Sequence, residues 1–198
     1  MNIHTKRIFV INGHPGRQSL SRLLAEAYQD GALASHHEIR VVHLHDLQFD
    51  LDHENGGYQN SKPLEPALES FLLNMEWAEH IVMTTPMWWG GMPAKLKGLF
   101  DRAFVPGRAF NPRVIECGAP KPLLKGKSAR VIITSDTPSW FMRLFYRNAL
   151  FHQIRKQLFR FVGITPTRFT HLNLASHPTL VQVTQWQDQV RWLGSVAA

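Results

Sequence analysis

The chain has 198 residues, enough to bury one sheet with helices on both faces. Its 44% hydrophobic and 11% aromatic content excludes a disordered protein, and no apolar run approaches the ~20 residues of a membrane-spanning helix. The net charge of +7 comes from scattered basic residues without a zinc-finger or RNP-like motif, which disfavours nucleic acid and leaves phosphate-bearing cofactors as natural ligands. A single cysteine, Cys117, rules out an intrachain disulfide and fits a reducing compartment. The N-terminal apolar run is too short for a signal segment, so a cytoplasmic protein without membrane insertion is expected.

Lys6 to Asn12 (KRIFVIN) reads as a buried strand ended by the turn Gly13-His14-Pro15-Gly16. Leu20, Leu23, Leu24, Ala27 and Tyr28 then recur at helical spacing across Ser19 to Leu33. Glu38 to Leu44 is a second strand, and Leu64 to Trp77 a second helix. His80 to Thr85 is the third strand, followed by a helix from Pro93 to Phe104 with proline in its first turn. Residues 105–127, rich in Pro, Gly and basic side chains, read as a long loop excursion and a candidate lid. Its Arg108, Arg113, Lys121 and Lys125 would suit the 2′-phosphate of NADPH. Ser128 to Ser135 is the fourth strand, and Pro138 to Phe161 a long aromatic helical stretch. Thr165 to Leu172 is a short fifth strand, and Leu180 to Leu193 the last helix. Strands and helices alternating in this way predict one doubly wound domain, 1–198, around a parallel sheet.

In such sheets ligands bind beyond the carboxyl ends of the strands. Three ends should converge, those after strands one, three and four. The first loop runs Gly13-His14-Pro15-Gly16-Arg17-Gln18-Ser19-Leu20-Ser21. It leads into a helix N-terminus, where backbone N–H groups and the hydroxyls of Ser19 and Ser21 can receive phosphate. His14 and Arg17 add donors suited to a diphosphate, although Ser19 also has the character of an ordinary N-cap. The second loop, Pro86-Met87-Trp88-Trp89-Gly90, carries adjacent indoles that make poor core material and a good wall for a flat ring. The same tryptophans could equally cap the core or fill a dimer interface. The third loop reads Thr134-Ser135-Asp136-Thr137-Pro138.

His14, Arg17 and Ser19, in the pattern H-x-x-R-x-S, and the run TPMWWGGMPAKLKGLFDRAF from Thr85 to Phe104 resemble the flavodoxin-like NAD(P)H:quinone oxidoreductase family. That family includes DT-diaphorase, the bacterial modulators of drug activity and the ancillary proteins of potassium efflux. Phe161-Val162-Gly163 resembles a further family feature. The resemblance implies a three-layer flavodoxin-like fold with a five-stranded parallel sheet in the order 2-1-3-4-5. It also implies a flavin, FAD with FMN as the alternative, whose phosphates occupy His14, Arg17, Gln18, Ser19, Leu20 and Ser21. The ring would lie against Pro86, Met87, Trp88, Trp89 and Gly90, with Thr134, Ser135, Asp136 and Thr137 along its other edge. Hydride would pass from NAD(P)H through flavin N5 to a quinone-like acceptor in ping-pong order, at the interface of a homodimer. The alternative within the same resemblance is a flavin-bearing regulatory subunit docked on a membrane transporter.

The sequence departs from the family at the third loop, where relatives carry Gly-Gly at the flavin N1 edge. A carboxylate there, from Asp136, would disfavour an anionic reduced flavin, but the commoner role for Asp before Pro138 is a turn or helix cap. No acid–base residue aligns with those of the family. Trp140, Tyr146 and His152 are the nearby candidates in sequence only, each better suited to packing on an aromatic helix. His36, His37, His43 and His45 lack a carboxylate cluster, so no metal is expected. Lys125-Gly126-Lys127-Ser128 precedes a strand instead of following one and is not a phosphate loop. Cys117 has no activating neighbour in sequence.

Overall fold

A computed structural model describes residues 5–52 and 62–198. Five parallel strands form one sheet in the order β2-β1-β3-β6-β7, which by position is 2-1-3-4-5. They are β1 (Arg7–Asn12), β2 (Glu38–His43), β3 (His80–Pro86), β6 (Lys127–Thr134) and β7 (Ile164–Leu172). A separate antiparallel pair comprises β4 (Phe110–Glu116) and β5 (Ala119–Pro122). The three interior strands are buried on both faces over most of their length, which is why each carries a continuous apolar run (Ile8–Ile11, Ile81–Met83, Val131–Ile133) instead of alternating.

Successive residues of each strand enter opposite layers. Phe9, Ile11, Ile81 and Met83 pack toward α2 (Pro66–Trp77) and α3 (Ala94–Ala103). Ile8, Val10 and Val82 pack toward α1 (Leu20–Ala34) and α7 (Leu180–Ser195). The latter two helices cross in close contact. A Cβ on Gly31 would lie 1.8 Å from the Arg191 carbonyl oxygen, and one on Gly194 would lie 2.1 Å from that of Tyr28.

The expected long helix over Pro138–Phe161 is divided. It forms α4 (Ser139–Leu144), then α5 (Ala149–His152), which continues through π-helical turns at Gln153–Phe159 into α6 (Arg160–Val162). Arg147 and Asn148, at φ +47° and +52°, interrupt it because a left-handed pair cannot continue a right-handed helix.

The excursion is also not a plain loop. Residues 110–122 pair as β4 and β5, and Arg108 anchors them to α2 with a bidentate pair to Glu76 and a second bond to Glu69. Lys121 and Lys125 both pair with Glu116. The segment runs from the end of α3 to the start of β6, so it lies at the amino end of the sheet. Leu124 N–H donates to the Val162 carbonyl there at 2.8 Å. It is therefore no lid over the carboxyl ends of its own strands, and three of its four proposed phosphate-binding cations are already paired. No helix of the described residues is long and apolar enough to cross a membrane.

Candidate functional site

Each interior strand leaves the sheet through a loop that the neighbouring strand holds in place. After β1, Gly13 N–H donates to the Thr84 carbonyl at 2.8 Å. A Cβ at Gly13 would come within 2.6 Å of a Leu96 methyl and 3.0 Å of the Thr84 carbonyl oxygen, so glycine lets the loop pack closely against α3. His14 N–H then donates to Asn12 Oδ1, and Gly16 N–H donates to His14 Nδ1 at 2.9 Å. With Nδ1 accepting, the neutral ring carries its proton on Nε2. Ser19 is the N-cap of α1, accepting from Arg22 N–H at 3.1 Å. Two positions on, Ser21 is 1% exposed and its hydroxyl has no partner among the described residues.

After β3, Met87 N–H donates to the Thr134 carbonyl at 2.8 Å, tying this loop to β6. Trp88 and Gly91 exchange two backbone hydrogen bonds around Trp89 and Gly90, whose φ values are +50° and +77°. This is the geometry of a tight hairpin turn with both central residues left-handed. Trp89 is fully exposed at its tip, so it does not cap the core of its own chain. Trp88 is half-exposed and stands edge-on to His14 at 5.5 Å between ring centres.

After β6, Asp136 caps nothing. The N-cap of α4 is Pro138, without a side-chain cap bond, and Asp136 instead accepts from the N–H of Ser176 at 2.7 Å and from its hydroxyl. These bonds, with smaller help from His177, hold its carboxyl below the usual range despite its exposure. Of the expected turn or helix-cap role the bend is present and the cap is not, because the side chain's partner lies forty residues away, beyond β7. Behind the loop a directional chain runs from Asn173 Nδ2–H to Ser139 Oγ and on to His171. His171 in turn bonds Ser135 Oγ at 2.7 Å, and Ser135 donates to the Thr137 carbonyl. Burial pushes the His171 pKa down, so the imidazole serves here as a neutral link.

These loops enclose two adjoining cavities. The first, of about 270 Å³, is lined by His14, Gln18, Ser19, Leu20 and Ser21 from the first loop. Pro86, Met87 and Trp88 line it from the second loop, and Thr134, Ser135 and Asp136 from the third. Ala175 and Ser176 complete it, so a fourth strand end joins the three expected. The second cavity, of about 570 Å³, is walled by Met87, Trp89, Gly90, Asp136 and Thr137 together with Met142, Tyr146, Ala149 and Leu150. Every expected cofactor contact except Arg17 thus lines one cavity or the other. Arg17 is exposed and lines neither; its carbonyl accepts from Arg22. Of the candidate catalytic side chains, Tyr146 lines the second cavity, whereas Trp140 and His152 line neither.

Over 110 residues the chain is 30% identical to an FMN-dependent NADH:quinone oxidoreductase of Bradyrhizobium diazoefficiens. That match covers 56% of this chain and 52% of the relative, so it spans about half the relative's length. A protein named FMN-dependent NADH:quinone oxidoreductase from Ruegeria pomeroyi is 28% identical over 181 residues, 83% of this chain and 87% of that one. In fold, the chain is similar to an NAD(P)H:quinone oxidoreductase from Methanothermobacter marburgensis. The TM-score is 0.77 at 19% identity, over 97% of this chain and 96% of that one. The family described as flavodoxin-like fold matches residues 6–192, and the chain belongs to it.

Proposed function

We propose that the chain binds FMN and uses it to carry a hydride from NAD(P)H to a quinone or related electrophile. The observation that carries this reading is the pair of adjoining cavities with the Ser21 hydroxyl, buried and unpartnered, at the first turn of a fifteen-residue helix. A buried hydroxyl without a partner is costly unless a ligand supplies one, and an anion at a helix N-terminus does so. Ser19, Ser21, the His14 ring and the backbone N–H groups entering α1 would hold the phosphate. The expectation of FAD draws on His14, Arg17 and a polar first loop suited to a diphosphate, together with the family resemblance; of these, Arg17 lies outside both cavities. What remains suits a single phosphate, in keeping with the FMN named for the relatives.

The flavin, when bound, supplies the hydride-accepting and hydride-donating chemistry. The protein orients it. Met87 to Gly90 offer a backbone and indole wall, and Thr134 to Thr137 a polar edge. The second cavity, lined by Met142, Ala149, Leu150 and Tyr146, suits the nicotinamide and the acceptor in turn, which is the ping-pong order. Trp140, Leu144 and Phe145 are 60%, 67% and 64% exposed beside it, an apolar patch that Tyr146 joins to the cavity wall. A second copy of the chain covering this patch would complete the acceptor site.

The test is made on the two half-reactions without oxygen. NADH or NADPH should bleach the visible absorbance of bound flavin, and a benzoquinone or naphthoquinone should restore it. Double-reciprocal plots at several quinone concentrations should be parallel. Bound flavin that neither nucleotide bleaches would contradict the proposal.

A further inference from the structure

Met87 and Asp136 are the two residues that line both cavities. A ligand with its phosphate in the first cavity and a ring reaching the second would lie against both. Met87 carries no charge. Asp136 carries one, and the fold fixes where it points. The Ser176 N–H and hydroxyl donate to its two oxygens, and Ala175 N–H donates to the neighbouring Ser135 carbonyl at 3.2 Å, lacing the same two loops together. Among the described residues, no lysine or arginine lines either cavity to balance it. The titratable groups around it are His14 across the first cavity, Tyr146 across the second, His177 beside Ser176, and His171 behind the loop, kept neutral by burial.

We propose that Asp136 sets the reduction potential of this site, as a fixed negative charge beside the bound ring that keeps the reduced cofactor neutral. The inference rests on the flavin reading above and goes beyond it. Two-electron reduction of a flavin takes up either two protons, giving a neutral ring, or one, giving an anion. A carboxylate held close to the ring raises the energy of the anion and leaves both neutral states nearly unchanged. A ring laid across the two cavities also covers the carboxylate and removes the water that screens it. Reduction therefore carries its second proton, drawn from solvent, to a higher pH than in water. The cofactor becomes a stronger hydride donor than it would be beside an uncharged loop.

The experiment is a titration of the FMN-loaded protein against reference dyes from pH 7 to 9, where reduced flavin in water is an anion. Each proton taken up with two electrons contributes about 30 mV per pH unit, so the wild-type slope should be about 60 mV. Asp136→Asn keeps the size of the side chain and loses the charge. Its slope should fall toward one proton, and its potential at the upper end should rise by at least a tenfold shift in the equilibrium, about 30 mV. Ser176→Ala loosens the clamp while keeping the charge, and should retain the wild-type slope. A one-proton slope in the wild type would overturn the proposal, and so would an Asn variant with unchanged potential and slope. If Asp136→Asn does not fold, the wild-type slope still decides. Failure of the protein to bind flavin at all is a separate result, which removes the flavin reading and this inference with it.

Discussion

Ser21 separates a binding role from a folding role more cleanly than any other residue in the site. Its hydroxyl is buried without a partner, so the protein alone gains nothing from it. Ser21→Ala should leave thermal stability unchanged or slightly raised. A lost hydrogen bond to a charged ligand is worth about 1.5–3 kcal/mol, so the flavin dissociation constant should rise roughly 10- to 100-fold. Fluorescence titration of the apoprotein beside a thermal melt reads both, and an unchanged affinity would remove Ser21 from the site. Trp89 makes a related point, since an exposed indole on a left-handed backbone serves no packing purpose in its own chain. His80 has a purely structural role. It is buried between Ser128 and Tyr28, and burial pushes its pKa down to about 3. The unfolded chain, with an ordinary histidine pKa of about 6.5, binds the proton first as pH falls. His80 therefore adds no penalty above that value, and stability drops by roughly 1.4 kcal/mol per unit as pH falls from there toward 3. Acid denaturation of His80→Gln should show a shallower slope, the remainder coming from His37, His43 and His171 and, toward the acid end, from carboxyls held low such as Asp136 and Glu65.

At the scale of elements, what the sequence revealed followed from periodicity, and what it concealed followed from contacts between distant segments. β1, β3 and β6 were legible because strands buried on both faces need unbroken apolar runs, and α1 because Ser19 caps it locally. The β4–β5 pair was hidden by Pro112, Pro120 and Pro122, residues that argue against a strand and are tolerated here in a two-stranded sheet that is all edge. The break at Arg147 and Asn148 lacks the glycine or proline that would announce it. Asp136 lies in a bend, as a turn residue does, but its side-chain bond to Ser176 is hidden because nothing in the sequence ties the two together. For the same reason the loop after β7 was missed as a fourth wall of the site, although Ser176 follows a strand end as the other three walls do. The excursion carries its own test. Arg108 is committed to Glu69 and Glu76, at the end of the sheet away from the cavities. Arg108→Ala should lower the melting temperature and leave the ratio of kcat/KM for NADPH over NADH unchanged. A selective loss of NADPH use would restore the excursion to the site.

For the whole molecule, the sheet order brings four strand ends together at one rim and sends the basic hairpin to the other. The rim also carries the apolar patch of Trp140, Leu144 and Phe145, continuous with the second cavity through Tyr146. If a second copy covers that patch, the protein should sediment as a dimer, and Leu144→Glu with Phe145→Glu should yield monomers with intact FMN binding and a raised KM for quinone. A wild-type monomer with full turnover would show that one chain suffices.

On the function proposed here, this rim holds a flavin through a single phosphate. The most direct measurement is the visible absorbance spectrum of the purified protein, followed by acid release and chromatography of the chromophore. A flavin spectrum with FMN released in stoichiometric amount is the expected result. Released FAD would contradict the single-phosphate reading, and a colourless protein that also fails to take up added FMN would contradict the site itself.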